Sequence, residues 1–235
     1  MKEIILDAPG KNALSTELIS AVRAALATAD GEPVLLTGAR DAFSAGLNLK
    51  EVRAFDANSA ATFLRELAQL VLDLFHYPGP TVALINGHAI AGGCVLALCA
   101  DYRVMRSDLG AKIGLNETAI GLPLPPVVAK LCRARLPTAH VERLVLGAEL
   151  HDAEDALALG LVDEISEGAS ALAGQRLAAL AAHPSQAYLQ NKRMLRAGAL
   201  ECSAEELARF ERQGLPIWAS EATKAMVDRL LKPKA

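Results

Sequence analysis

Along the first hundred residues the spacing of hydrophobic positions switches repeatedly between strand-like and helical. Glu3 to Leu6 opens as a β-type run, and Thr16 to Ala29 places Leu18, Ile19, Val22 and Leu26 on one helical face. Ser15 or Thr16 stands where an N-cap belongs. A second β-type run, Pro33 to Thr37, ends at Gly38. Ser59 to Tyr77 then aligns Phe63, Leu67, Leu70, Leu74 and Phe75 in the stripe of a longer helix. Thr81 to Ile85 reads as a third strand, closed by the turn pair Asn86-Gly87. The apolar run from Gly92 to Ala100 predicts a buried helix, followed by a strand at Tyr102 to Met105. Strands alternating with helices predict an α/β layered core.

From about Pro125 onward the pattern is helical and rich in alanine. Helical spacing runs through Ala139 to Leu146, Ala153 to Leu159, Ser170 to Ala182, Ser185 to Ala197, Ala204 to Gln213 and Glu221 to Leu231. Only Leu161 to Ile165 resembles a strand there, and Gly160, Gly168, Pro184 and Gly214 punctuate the series. No repeat of fixed period is visible.

Composition narrows the class. A chain of 235 residues, 52% hydrophobic, buries about 70% of its unfolded surface and needs no disulfide or metal staple. A net charge of −3 argues against a nucleic-acid partner, which asks for a basic face. Cys94, Cys99, Cys132 and Cys202 contain no C-x-x-C pair, so they read as small buried residues in a reducing compartment. The longest apolar stretch, Ala89 to Ala100, is about 12 residues, too short to span a bilayer. Met1-Lys2-Glu3 leads straight into a strand-like run with no leader before it, so the expectation is a cytoplasmic protein with no membrane partner.

Dinucleotide-binding, P-loop, nucleophile-elbow and zinc-protease motifs are absent. Of the five histidines, His88 is best placed to line a pocket, because it follows the Asn86-Gly87 turn. Three other segments stand out: Asp41 to Lys50, Asn86 to Cys94, and Ile113 to Gly121. The small residues of the first two leave backbone N–H groups unshielded, and Gly92-Gly93 opens a helix whose first amides have no internal partner. Two such donors converging on one point make an oxyanion hole, although the same glycines also suit tight turns or close packing. In the third segment Glu117 lies among Ile113, Leu115 and Ile120. Burial raises a carboxyl pKa and suits it to general-base work, while a helix cap or an exposed loop acid fits the same string. The residues by themselves reach enolate-type chemistry and stop there.

Taken together these segments resemble the crotonase (enoyl-CoA hydratase/isomerase) family. The resemblance runs through Asn12-Ala13-Leu14, Leu36-Thr37-Gly38, Phe43-Ser44-Ala45-Gly46, Asn86-Gly87, Ala91-Gly92-Gly93-Cys94, Ala100-Asp101-Tyr102-Arg103, Glu117, Gly121 and Ala153 to Val162. It implies a crotonase-like α/β fold, a spiral of ββα units spanning residues 1–180, with a C-terminal helical oligomerisation region at 181–235. A homotrimer, or a hexamer made as a dimer of trimers, is implied with it.

The family's oxyanion donors fall by position on the amides of Leu47 and Gly92. Ala45, Gly46, Leu47, Asn48 and Leu49, with Gly92, fall on the CoA and thioester site. No cofactor is implied, since CoA arrives as part of the acyl-CoA thioester substrate. Val95 stands where a hydratase of the family carries its first glutamate, and Glu117 keeps the second. Glu117 as a single catalytic acid resembles the Δ3,Δ2-enoyl-CoA isomerases, which act in fatty acid β-oxidation. The alternatives are another acyl-CoA enzyme of the family (hydratase, decarboxylase or thioester hydrolase), with Asp41 or Glu142 entering the site, and a non-catalytic acyl-CoA-binding protein. Asn48 departs from the family's usual aspartate, which puts the geometry of that loop in question.

Overall fold

A computed structural model describes residues 1–232, so the last three residues of the expected C-terminal region, 233–235, lie outside it. Its strands are β1 (Lys2–Leu6), β2 (Val34–Gly38), β3 (Ala42–Ser44), β4 (Thr81–Ile85), β5 (His88–Ile90), β6 (Tyr102–Arg106), β7 (Ile113–Gly114) and β8 (Glu164–Ser166). They form two parallel sheets, one of five strands in the order β1-β2-β4-β6-β8 and one of three in the order β3-β5-β7. Every residue of β2 and β4 is buried, so these strands read as continuous apolar runs rather than alternating ones.

Three times a strand of the large sheet runs on into a strand of the small sheet and then into a helix. β2 and β3 lead to the helices Leu49–Arg53 and Ala57–Phe75, and β4 and β5 to Gly92–Cys99. β6 and β7 lead through a short turn at Thr118–Ile120 to Pro126–Arg135. This is the expected succession of ββα units, and the helical C-terminal region follows it.

Local chemistry sets the helix ends. Ser15 Oγ accepts from the Leu18 amide at 3.2 Å and starts the helix Thr16–Ala29, as expected. The next long helix begins at Ala57, two residues before its expected start. The cause is a reciprocal cap, in which Asp56 Oδ1 accepts from the Ser59 amide at 2.8 Å and Ser59 Oγ from the Asp56 amide at 2.9 Å.

Two expectations need correction. The strand expected at Leu161 to Ile165 is β8, Glu164–Ser166. Leu161 and Val162 are core residues in the preceding loop, whose amides turn back to the Ala156 carbonyl. The helix expected over Ala204 to Gln213 ends at Arg209 and widens into a π-turn at Phe210–Gly214 before Leu215–Trp218. Pro216 has no N–H to return to the Arg212 carbonyl, which removes the α-type bond there.

The C-terminal helix Glu221–Leu231 packs against the helix Leu49–Arg53 and the turn Thr118–Ile120. Arg53 Nε donates to Asp228 Oδ1 at 2.7 Å across the first of these contacts. No described helix is long and apolar enough to cross a membrane.

One close backbone approach involves Gly93, where an added Cβ would stand 2.4 Å from the Ser44 carbonyl oxygen. In Gly93→Ala the backbone itself has to move, so we expect a loss of about 3 kcal/mol or more. Gly174 lies inside the helix Ala169–Ala181 with nothing within 4 Å of an added Cβ. Gly174→Ala is therefore expected to gain about 0.5–1 kcal/mol. Urea unfolding of both variants checks the pair, since a similar midpoint for the two would contradict the packing.

Candidate active site

The residues flagged in the sequence come together beyond the small sheet, at matching places in the three units. Leu47 follows the last residue of β3 by three, Gly92 follows the last of β5 by two, and Glu117 follows the last of β7 by three. Parallel strands ending side by side deliver the three residues to one region.

Asn12 organises the first loop. Its buried side chain donates to the Ala42 carbonyl at 2.8 Å and the Ala39 carbonyl at 2.9 Å, and its own carbonyl accepts from Ser44 Oγ at 2.7 Å. Further on, the Leu14 amide donates to the Gly46 carbonyl at 2.7 Å, and the Asn48 amide to the Leu14 carbonyl at 2.9 Å. Leu47 lies between these two bonds, and its own amide donates to no described residue. Gly46 turns the chain with a φ of +91°, in the left-handed region open to glycine. Asn48 Oδ1 accepts from the Lys50 amide at 3.1 Å and caps the helix Leu49–Arg53. An uncharged acceptor suffices for that bond, so the asparagine departure leaves the cap in place. Gly46 and Leu47 are buried, while Ala45, Asn48 and Leu49 stay half-buried at the edge.

The second donor comes from the β5 exit. Ala91 has φ 50° and ψ −118°, an unusual conformation for a residue with a Cβ. It turns the chain into the helix Gly92–Cys99, all of whose residues are buried. The Gly92 amide is the first in that helix and donates to no described residue. A Cβ on Gly92 would stand 3.2 Å from Leu47 Cδ2 and 3.9 Å from the Gly46 carbonyl carbon, so the two amide-bearing segments touch. The Ala91 amide in turn donates to the Gly114 carbonyl at 2.8 Å, tying the β5 exit to the strand that precedes Glu117.

Glu117 is 6% exposed, and its Oε2 is buried with no hydrogen-bond partner among the described residues. Loss of water raises its pKa to about 7, and no charged neighbour contributes to that rise. The Glu117 carboxylate in turn helps hold the buried Cys94 and Cys132 thiols well above their ordinary range, though their own burial is the larger cause. It therefore lies beside the helices Gly92–Cys99 and Pro126–Arg135.

Among the described residues no second acid contributes to the Glu117 shift. Val95 is buried and apolar, Asp41 is exposed and pairs with Lys11, and Glu142 is exposed. His88 does not join the site: its Nδ1 accepts from the Lys112 amide at 3.0 Å and braces β5 against the approach to β7. Asn116 Oδ1 and His151 Nε2 are also buried without partners, and His151 pairs with Ile113 by two 2.9 Å backbone bonds. The sequence carried no signal for His151, since that pairing joins residues far apart in the chain. Among the described residues no three His, Cys, Asp or Glu side chains gather as a metal site.

Two amides that donate to no described residue, and one buried carboxyl oxygen without a partner among them, thus follow the strands of the small sheet in three successive ββα units. A family model described as enoyl-CoA hydratase/isomerase matches residues 1–221, and the chain belongs to that family. A "Probable enoyl-CoA hydratase EchA17" of Mycobacterium bovis is 37% identical over 167 residues, covering 69% of this chain and 63% of its own length. Mouse "Enoyl-CoA delta isomerase 1, mitochondrial" is 32% identical over 162 residues, 67% of this chain and 56% of its own length. These matches thus span less than two thirds of either relative. The human mitochondrial delta3-delta2-enoyl-CoA isomerase structure superposes with a TM-score of 0.86 at 26% identity, covering 95% of this chain and 90% of that one.

Burial of Glu117 also makes a stability prediction. Because its folded pKa is raised, the native state holds its proton longer than the unfolded chain does, so stability falls as pH rises from the ordinary carboxyl range to about 7. A rise from 4.5 to about 7 is worth about 3 kcal/mol at most. Glu117→Gln is expected to be more stable than the parent at pH 8, by about 1–3 kcal/mol, and equal to it near pH 4. Urea midpoints at the two pH values test this, and a variant less stable at pH 8 would contradict it.

Proposed function

We propose that this chain is a Δ3,Δ2-enoyl-CoA isomerase, moving the C3 double bond of an unsaturated acyl-CoA to C2. The observation that carries the reading is Glu117, a buried carboxyl with no acidic companion, Val95 standing where a second acid would serve a hydratase. Syn-addition of water asks for two groups to hold and activate the water. A 1,3-proton shift asks for one base that takes a proton from C2 and returns it at C4.

In that sequence Glu117 Oε2 removes the C2 proton. The C–H electrons move into the C1–C2 bond, and the thioester oxygen becomes the oxyanion of a dienolate. The Leu47 and Gly92 amides hold that oxygen, each worth about 3 kcal/mol of transition-state stabilisation. Glu117 then gives the same proton to C4, and the double bond settles at C2 with no change in composition. A base with a pKa near 7 is matched to proton transfer at neutral pH. The loop Ala45 to Leu49 would line the CoA and thioester end. The same reading takes the protein as a homotrimer or a dimer of trimers acting in fatty acid β-oxidation, with its free thiols fitted to the cytoplasm.

Hydration is the second reading, favoured by the hydratase names of the mycobacterial and Thermus relatives. Incubation with trans-3-hexenoyl-CoA, followed by chromatography and mass spectrometry, separates the two. Isomerisation gives the 2-enoyl product at unchanged mass, and gain of water overturns the proposal. Glu117→Gln should lose about 10²-fold or more in turnover. The parent rate should rise with pH through a midpoint near 7, as the carboxylate form fills. A variant as fast as the parent, or a rate that falls over that range, counts against Glu117 as the base.

A further inference from the structure

A second cluster of buried charge lies at the other end of the large sheet. Gly79, Thr81 and Asp101 stand where β4 and β6 begin, whereas Leu47, Gly92 and Glu117 follow strands that leave from the far end. The helix Ser185–Arg196 turns Tyr188, Lys192 and Arg196, one turn apart, toward this edge. Lys192 Nζ donates to Asp101 Oδ2 at 2.8 Å and to the Gly79 carbonyl at 2.9 Å. Arg196 Nη2 lies 2.7 Å from Asp101 Oδ1, and its Nη1 donates to the Phe75 and Cys99 carbonyls. The Tyr188 hydroxyl donates to Asp101 Oδ2 at 2.8 Å. Lys192 and Arg196 are 8% and 7% exposed.

Arg135 reaches the same place from the end of the helix Pro126–Arg135. Its Nε donates to the Leu98 carbonyl at 2.9 Å and its Nη2 to the Ala100 carbonyl at 2.8 Å, all neutral acceptors. It makes no ion pair among the described residues, and its Nη1 donates to none of them. The neighbouring Arg103 and Asp163 neutralise each other at 2.8 Å. Lys192 and Arg196 share the Asp101 carboxylate, and half-buried Arg135 stands beside them with no carboxylate of its own among the described residues, a local excess of two positive charges. Burial and mutual repulsion push Arg135 down to about 10 and Lys192 down to about 8. Buried cations are ordinarily paired, so this excess favours an anion supplied from outside the chain.

These groups line a cavity of about 700 Å³ together with His183 and Asn191, and the rest of its wall is largely apolar, with Phe75, Leu180, Pro184 and Ala187. Both the size and the mixture of apolar wall with a few converging charges are those of a small-molecule site. We propose that the cavity binds an organic phosphate monoester, its dianionic head set between Arg135, Lys192 and Arg196 and its body against the apolar wall. A phosphate monoester carries about −1.5 to −2 near neutral pH, which balances the excess, and an arginine fork suits its oxygens. The site is independent of the proposed reaction.

The test uses phenyl phosphate, inorganic phosphate and phenol as probes of the full chain. They are measured by titration calorimetry and thermal unfolding at fixed ionic strength in a phosphate-free buffer. Phenyl phosphate is expected to bind with a Kd below about 1 mM and to raise the Tm. Inorganic phosphate should bind about tenfold more weakly, and phenol negligibly. Arg135→Gln should weaken phenyl phosphate about tenfold or more. Because Arg135 also ties down a helix end, Asn191→Asp provides the second variant. It puts a negative charge on the cavity wall from an exposed position and removes none of the bonds described. It should weaken phenyl phosphate by a similar factor without lowering the Tm of the unliganded protein.

Absence of any shift at about 10 mM phenyl phosphate would overturn the proposal, as would unchanged binding in Asn191→Asp. Equal affinity for inorganic phosphate would overturn the role given to the apolar wall. A phosphate-silent protein whose sedimentation mass changes in Asn191→Asp would overturn it in favour of an acidic group from a second copy.

Discussion

The contact between the exit of β3 and the exit of β5 is the constraint on which the rest of the site depends. With Gly93 against the Ser44 carbonyl there is no room for a single extra methyl group, so the two backbones meet directly. That approach brings the Gly92 amide beside the Leu47 segment. It also forces Ala91 into a conformation that costs about 1–3 kcal/mol. The cost is carried by a helix whose eight residues are all buried, and by the bond from the Ala91 amide to Gly114. Apart from Asn12 and Ser44, which tie down the β3 exit, side chains serve this geometry chiefly by staying small.

Two carboxylates, one buried and one half-buried, show how the fold sets a side chain's role by its surroundings. Asp101 accepts from the Thr81 amide, the Tyr188 hydroxyl, Lys192 and Arg196, and serves as a structural anchor between sheet and helix. Glu117 Oε2 accepts from no described residue, and burial makes its proton available near neutrality. A group meant to exchange protons has to be left incompletely satisfied, and a group meant to brace a helix must not be.

Much of the large sheet was legible in the sequence, because β2 and β4 are apolar runs ended by Gly38 and the Asn86-Gly87 turn. The helices were legible where caps and stripes coincide, as at Ser15. The small sheet was not: β3 and β5 have three residues and β7 has two, too few to show a period. The threefold recurrence of the ββα unit was hidden for a related reason, since its connecting helices run from five residues at Leu49–Arg53 to nineteen at Ala57–Phe75. Glu117, Leu47 and Gly92 were found through the family's motifs, while the residues alone left each with a structural explanation. Asp101 stands out in the sequence only as part of the Ala100-Asp101-Tyr102-Arg103 motif. Its partners Lys192 and Arg196 lie about ninety positions away, beyond the reach of local pattern.

Placing Leu47, Gly92 and Glu117 on three successive units has a kinetic consequence. Leu47, Gly92 and Glu117 are brought together by pairings between residues tens of positions apart, such as Ala42 with His88 and Ala89 with Ile113. Loop closure over such distances is entropically costly, so these contacts form late relative to the helices. An intermediate with only one or two docked units lacks at least one of the three residues from its place. Refolding chains should therefore regain helical signal well before they regain the pocket. Chemical competence in this architecture marks the completion of folding.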